Sequence, residues 1–218
     1  MRPAPLCTGG AGYHRVTMST RLPAPARREQ LLATGLEVFA RQGFHGTSMN
    51  DVADAAGVTK PVLYQHFASK RELYLALLEE VGRGLLEAIA KATALALDGK
   101  AQTEAGFTAY FQWVADDHDA FLLLFGSGAR RDEEFAEAVR RVEEAIAEAI
   151  EPLIAADIDV NHRRTLAHAL VGLAEGASRQ LVNVGESFDA ALLARQVADL
   201  AWAGLRGVHR VSNAPTPT

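Results

Sequence analysis

The sequence predicts an all-α protein: an N-terminal three-helix helix-turn-helix module followed by a larger C-terminal helical domain, about nine helices in all. Three observations carry that prediction. Ala, Leu, Glu and Arg dominate the chain, and these are strong helix formers. The alternating Val/Ile/Thr runs of half-buried strands are absent, whereas apolar residues recur at spacings of three and four. The periodic segments are punctuated by helix start and stop residues at their ends.

The first helix is expected over about Pro25–Gln42, with Leu32, Leu36 and Phe39 on one face and Gly43 as its stop. The second opens at Thr47 or Ser48 and ends at Gly57, with Asp51 supplying an acid in its positive first turn. The third is short, Lys60 to His66, capped by Thr59 and carrying Pro61 where a missing N–H is harmless. Ser69-Lys70-Arg71-Glu72 reads as a capping box for a fourth helix that continues to about Leu97. Five further segments follow: Thr103 to Asp116, Ala120 to Phe125, Asp132 to Ile154, Asn161 to Val184, and Phe188 to Val208. Loops such as Asp98-Gly99-Lys100 and Gly126-Ser127-Gly128 are expected between them. Residues 1–24, rich in Gly and Pro, read as a disordered leader in which Met18 is a candidate start, and 211–218 as a disordered tail.

Charge is distributed unevenly. Residues 1–70 carry eight Lys/Arg against four Asp/Glu, and residues 71–218 carry fourteen against twenty-three. A basic head on an acidic body suits a protein whose head alone meets phosphate. Cys7 is the single cysteine, which excludes an intrachain disulfide and points to a reducing compartment. No apolar run reaches the ~18 residues of a membrane span, and Pro3, Pro5, Gly9, Gly10 and Gly12 interrupt any signal-peptide core. The expected location is the cytoplasm.

The stretch Gly43–Leu73 is the most informative. Val52, Ala53 and Ala56 are small enough for close helix approach, Gly57 can adopt positive φ at the turn, and Val58 and Leu63 can be buried. The polar residues between Thr59 and His66 then form a solvated face suited to a DNA groove.

The residues Leu31-Leu32, Phe39, Gly43-Phe44, Thr47-Ser48, Val52-Ala53, Ala56-Gly57-Val58, Leu63-Tyr64, His66-Phe67 and Ser69-Lys70 resemble the N-terminal module of the TetR family of bacterial repressors. The resemblance implies a DNA-binding domain over 25–70 and a regulatory, effector-binding and dimerisation domain over 71–210. It implies base contacts from Lys60, Pro61 and Val62, and phosphate contacts from Thr47, Ser48, Thr59, Tyr64, His66 and Lys70. Hydroxyl and ammonium donors suit phosphate oxygens, Lys60 suits guanine, and Val62 suits a thymine methyl. Pro61 and Val62 replace the commoner Gly and Thr, so a hydroxyl-to-base contact is lost.

The resemblance also implies a homodimer formed by the last two helices, here through Leu166, Leu170, Leu173, Gly176, Leu181, Leu193, Val197, Leu200 and Leu205. The alternative is that these stripes pack within their own subunit. Phe107, Tyr110, Phe111, Trp113, Phe121 and Phe125 are either plain core or the lining of a cavity for a small lipophilic effector. Asp116-Asp117-His118-Asp119 splays over several faces and is not expected to bind metal. Neither a Gly-rich phosphate loop nor a nucleophile motif supports an enzyme. No cofactor is expected, nor a membrane as partner. The expected function is a DNA-binding transcriptional regulator, a homodimeric, ligand-responsive repressor of a palindromic double-stranded operator. A helical protein-interaction adaptor and an activator on the same fold are the alternatives.

Overall fold

A computed structural model describes residues 22–126, 131–184 and 189–209, with the backbone alone for 180–184. The expected tail, most of the expected leader, and Cys7, Met18 and the side chain of Leu181 lie outside the described residues. Those described form nine α-helices: α1 Ala24–Gly46, α2 Met49–Ala55, α3 Lys60–Tyr64, α4 Lys70–Ala94, α5 Gly99–Asp116, α6 His118–Phe125, α7 Glu133–Ile150, α8 Val160–Val184 and α9 Ala190–Arg206.

Local chemistry sets most of these boundaries. Helix α1 breaks at Gly43, whose φ of 69° and ψ of 170° are non-helical, and a last turn follows before Thr47. Ser48 and Asp51 form a complete capping box on α2. Ser69 accepts from the Glu72 N–H, but the Glu72 carboxylate accepts from Ala68 rather than from Ser69, so the box expected at α4 closes one residue earlier. Helix α3 is shorter than expected, because the His66 N–H donates to the Leu63 carbonyl three residues back instead of continuing the four-residue pattern, which ends the helix after Tyr64. Thr59 precedes α3 without making a side-chain cap bond.

Two boundaries differ more. Asp98 accepts from the Ala101 N–H and so starts α5 at Gly99, where a loop was expected to last until Thr103. Helix α7 ends at Ile150 rather than Ile154, because Pro152 cannot continue it and a single 3-10 turn over Glu151–Leu153 takes its place. Asp117 caps α6 by accepting from the Ala120 N–H, which gives the acidic run around His118 a structural role.

Helix α4 is the spine. It packs against α1 and α6 near its start and against α5 and α7 along its body; α8 and α9 complete the bundle against α5 and α7. One apolar core runs from the head (Leu31, Phe39, Val52, Leu63, Phe67) through α4 (Leu73, Leu77, Leu85) into the body (Phe111, Phe121, Phe135). Head and body are therefore joined by packed side chains as well as by the chain.

Candidate nucleic-acid interface and effector cavity

The head is held by a short list of contacts. Leu63 and Phe67 are fully buried beneath α3. Gly57, with φ 64°, makes the turn between α2 and α3, where a side chain would be strained. With those anchors inside, Thr59, Lys60, Pro61, Tyr64 and Gln65 are exposed, and Val62 and His66 are partly so. Tyr64 retains 42% of its surface, and the Lys60 ammonium lies 5.8 Å from its ring centroid. The three expected base-contact positions, Lys60, Pro61 and Val62, thus share one outward surface with Thr59, Tyr64 and His66.

Three of the expected phosphate residues are engaged within the head. Thr47 is 2% exposed, and its hydroxyl donates to the Gly43 carbonyl at 2.9 Å. The Lys70 ammonium donates to the Phe44 and Thr47 carbonyls at 2.6 and 2.7 Å and stands 4.4 Å from the Phe44 ring centroid. These carbonyls belong to the last turn of α1 and the loop after it, so Lys70 closes a helix end that the Gly43 break leaves open. The Ser48 hydroxyl donates to Asp51 within the capping box. For Thr47 and Lys70 the geometry corrects the expectation: their side chains act inside the fold. Sequence reading did not single out Arg28, whose guanidinium lies 4.4 Å above the Phe67 ring and reaches toward the His66 carbonyl. This exposed cation sits beside the α3 surface, 38 residues before His66 in sequence.

A cavity of about 460 Å³ opens inside the body, within the ~300–1,000 Å³ usual for small-molecule sites. Helices α4, α5, α7, α8 and α9 contribute Ile89, Phe107, Ile146, Leu170 and Trp202, with Phe125 from α6. Of the six aromatics proposed from sequence, Phe107, Tyr110 and Phe125 line it. Phe111 and Phe121 are instead solid core, and Trp113 faces a shallow outer depression between α4 and α5. Trp202 supplies the aromatic wall that Trp113 was expected to give. Periodicity could not distinguish these cases, since core and cavity-lining residues share the same apolar helix face.

Polar groups in this interior are few. Thr93, Gln102, Thr103, Asp157, Glu175 and Arg206 also border the cavity. The Tyr110 hydroxyl and the Ser178 hydroxyl are buried neighbours, and neither makes a hydrogen bond of good geometry. Burial pushes the Tyr110 phenol well above its ordinary pKa, while the neighbouring Ser178 hydroxyl eases it slightly. Leaving a buried hydroxyl unpaired costs about 1–3 kcal/mol.

The outer surface of α8 and α9 differs from the expected dimer stripe. Leu170 and Leu205 line the cavity, Val197 is buried, and Leu173 and Leu193 pack on the subunit's own core. Leu166 joins a second small cluster with Ile154, Ile158 and Ala167. These residues face inward because the cavity and α5 lie on that side. The outward face instead carries Gly172 and Gly176 on α8, where an added Cβ would meet nothing, and Leu192 and Leu200 on α9, 45% and 63% exposed. Gly176 and Leu200 are the two expected interface residues that do face outward.

A three-helix head with one solvated recognition surface, set on a helical body around an apolar cavity, defines a ligand-sensing type of helix-turn-helix protein. Residues 31–77 match the family of bacterial regulatory proteins of the tetR type, and residues 100–204 match the tetracyclin repressor-like C-terminal domain. The chain is 34% identical over 190 residues to the HTH-type transcriptional activator FasR of Mycolicibacterium smegmatis, covering 86% of this chain and 87% of that protein. It is 34% identical over 101 residues to the transcriptional repressor KstR2 of Rhodococcus jostii, 44% of this chain and 48% of that one. Among solved structures, a TetR-like transcriptional regulator from Rhodococcus superposes with a TM-score of 0.70 at 27% identity, covering 86% of this chain and all of that one. FadR from Bacillus subtilis in complex with stearoyl-CoA superposes at 0.72 and 18% identity, over 83% of this chain and 99% of that one, a likeness of fold. The chain belongs to the TetR family of DNA-binding transcriptional regulators.

Proposed function

We propose that two copies of this chain grip a pseudo-palindromic operator through their α3 surfaces and release it when a lipophilic effector fills the body. The observation that carries the reading is the outward strip Thr59–His66, braced by buried Leu63 and Phe67, in a chain of this family. Lys60, Pro61 and Val62 face base edges. Thr59, Tyr64 and His66 meet phosphate, joined by Arg28 and, through its capping turn, Ser48. One α3 reads only a few base pairs, so specificity calls for two heads about one helical turn (~34–36 Å) apart. The outward faces of α8 and α9 are the surfaces that support pairing, with the two glycines allowing close approach of the helix backbones.

The cavity's apolar lining supports an effector with few polar anchors, and α4 is the element through which its occupancy reaches the head. Activation is a second reading, favoured by the activator FasR among the relatives. Selection of bound fragments from random duplexes tests the proposal. It should return an inverted repeat, bound with an affinity that falls at least ~10-fold between 50 and 200 mM salt. Recovery of unrelated fragments with no salt dependence would remove DNA reading by this surface. A promoter reporter carrying the selected repeat separates repression from activation.

A further inference from the structure

Tyr110 and Ser178 are an anomaly in an otherwise well-satisfied interior. Native folds pair nearly every buried hydroxyl with protein or an ordered molecule. Here neither side-chain oxygen makes a hydrogen bond of good geometry, and they are the two such atoms among the described residues. The two hydroxyls are neighbours, and the Tyr110 phenol feels chiefly the effect of burial, with only a weak pull from Ser178 against it. Tyr110 lines the cavity from α5. Ser178 stands one helical turn beyond Ala174, which lines the same cavity from α8, and so lies on the same face of that helix. Ile89, Phe107, Phe125 and Ile146 on the surrounding walls offer no hydrogen bonds, while Thr93, Gln102, Thr103 and Glu175 bring polar groups to other parts of the lining.

We infer that Tyr110 and Ser178 form the polar reading point of the cavity, selecting an effector that carries an oxygen acceptor, such as a carbonyl, within its buried apolar part. Two hydroxyl donors converging from α5 and α8 match the two lone pairs of one carbonyl oxygen. A purely hydrocarbon occupant of the same shape would leave both donors unpaired, so discrimination comes from the cavity's own unmet hydrogen bonds. The inference rests on the proposal that the cavity is an effector site and adds the chemical class of the effector.

The test uses the full chain and two nearly isosteric probes, benzophenone and diphenylmethane, which differ by a carbonyl against a methylene. Binding is read from Trp202 fluorescence in a Trp113→Phe background. The ratio of the two affinities is compared between this protein and its Tyr110→Phe/Ser178→Ala derivative. Preference for the ketone should fall by roughly five- to tenfold in the derivative, the factor of a recovered hydrogen bond. An unchanged ratio with both probes bound would overturn the polar reading point while leaving the cavity as a binding site. Binding of neither probe would overturn both. Melting temperature supplies a second measurement. Removing two unpaired hydroxyls should leave it unchanged or raise it, and a fall in both single variants would mean that the hydroxyls satisfy each other, which also overturns the inference.

Discussion

Arg71, in the first turn of α4, donates from both terminal nitrogens to the two carboxylate oxygens of Asp132, the N-cap of α7, at 3.0 and 2.8 Å. The same guanidinium reaches Glu134 at 2.7 Å and lies 4.8 Å from the Phe135 ring centroid. Phe135 in turn meets Phe44 and Tyr74 at centroid separations of 4.7 and 4.5 Å. The end of α1, the start of α4 and the start of α7 are thereby locked at one junction between head and body. A ligand that moves α7 has a direct mechanical route to the head.

This junction should report pH. Arg71 holds the Asp132 carboxyl below its ordinary value. A carboxylate with a depressed folded pKa contributes stability above its unfolded pKa and loses it as pH falls through the folded one. The melting difference between this protein and Asp132→Asn, which keeps a capping side chain, should be constant above about pH 5 and shrink below about pH 4. Because the pair is exposed, the plateau should be no more than a few degrees and should diminish with salt. A pH-independent difference would show that Asp132 acts as a cap and not as an ion-pair partner.

Two glycines of α4 should respond with opposite signs. A Cβ at Gly82 would overlap the methyl groups of Val142 on α7, whereas one at Gly84 would meet nothing. Gly84→Ala should stabilise by about 0.5–1 kcal/mol through helix propensity. Gly82→Ala forces α4 and α7 apart and should cost about 1–3 kcal/mol, with part of the loss restored by adding Val142→Ala. Denaturant unfolding of the three variants checks the signs. A stabilised Gly82→Ala would mean that α4 and α7 are not in close contact in solution.

The head separates residues that fold it from residues that face outward. Thr47→Val removes a buried donor from the Gly43 carbonyl and should cost about 1 kcal/mol of stability. Lys70→Met removes two charge-assisted bonds and should cost about 1.5–3 kcal/mol. Tyr64→Ala, at an exposed position, should change stability by no more than about 0.5 kcal/mol yet weaken every DNA sequence alike. Lys60→Ala should instead relax sequence preference. Melting curves and operator titrations run together distinguish the groups; a Thr47→Val variant of full stability that no longer binds DNA would return Thr47 to the interface.

How much of this was legible in the sequence varies along the chain. The head could be read because its signals are local: Ser48 with Asp51 three residues later, Gly57 at positive φ, Pro61 in a first turn. The engagement of Lys70 was hidden, because its partners Phe44 and Thr47 lie more than twenty residues away. In the body, Leu170 and Leu200 both sit on apolar stripes, yet one lines the cavity and the other faces outward. Periodicity marks an apolar face without saying what covers it. Trp202, adjacent to buried Ala201, gave no signal of its own.

The outward face of α8 and α9 predicts the oligomer. Leu200, 63% exposed, sits where an apolar side chain gains only if a second surface covers it. Leu200→Glu should therefore convert dimer to monomer in sedimentation without lowering the melting temperature of the isolated subunit. Operator affinity should drop by at least ~10-fold, since each head would then bind alone. If Leu200→Glu sediments as the unaltered protein does, pairing uses another surface.

The cavity can be filled by a side chain grown from its own wall. Gly106 borders it on α5, and a Cβ there would meet only the Thr93 methyl at an ordinary 3.5 Å. Gly106→Leu adds a branched side chain to the space and improves helix propensity by about 1 kcal/mol. The variant should be as stable as the parent or more so and, because the proposed effector releases the operator by filling this same space, bind operator DNA more weakly. It should lose several-fold of its capacity for 1-anilinonaphthalene-8-sulfonate, an anionic dye whose aromatic body lights up in apolar sites, because the added volume occupies the site. Unchanged dye binding would place the dye elsewhere and the effector cavity in question, whereas loss of dye binding with operator affinity unchanged would uncouple the filling of the body from the heads.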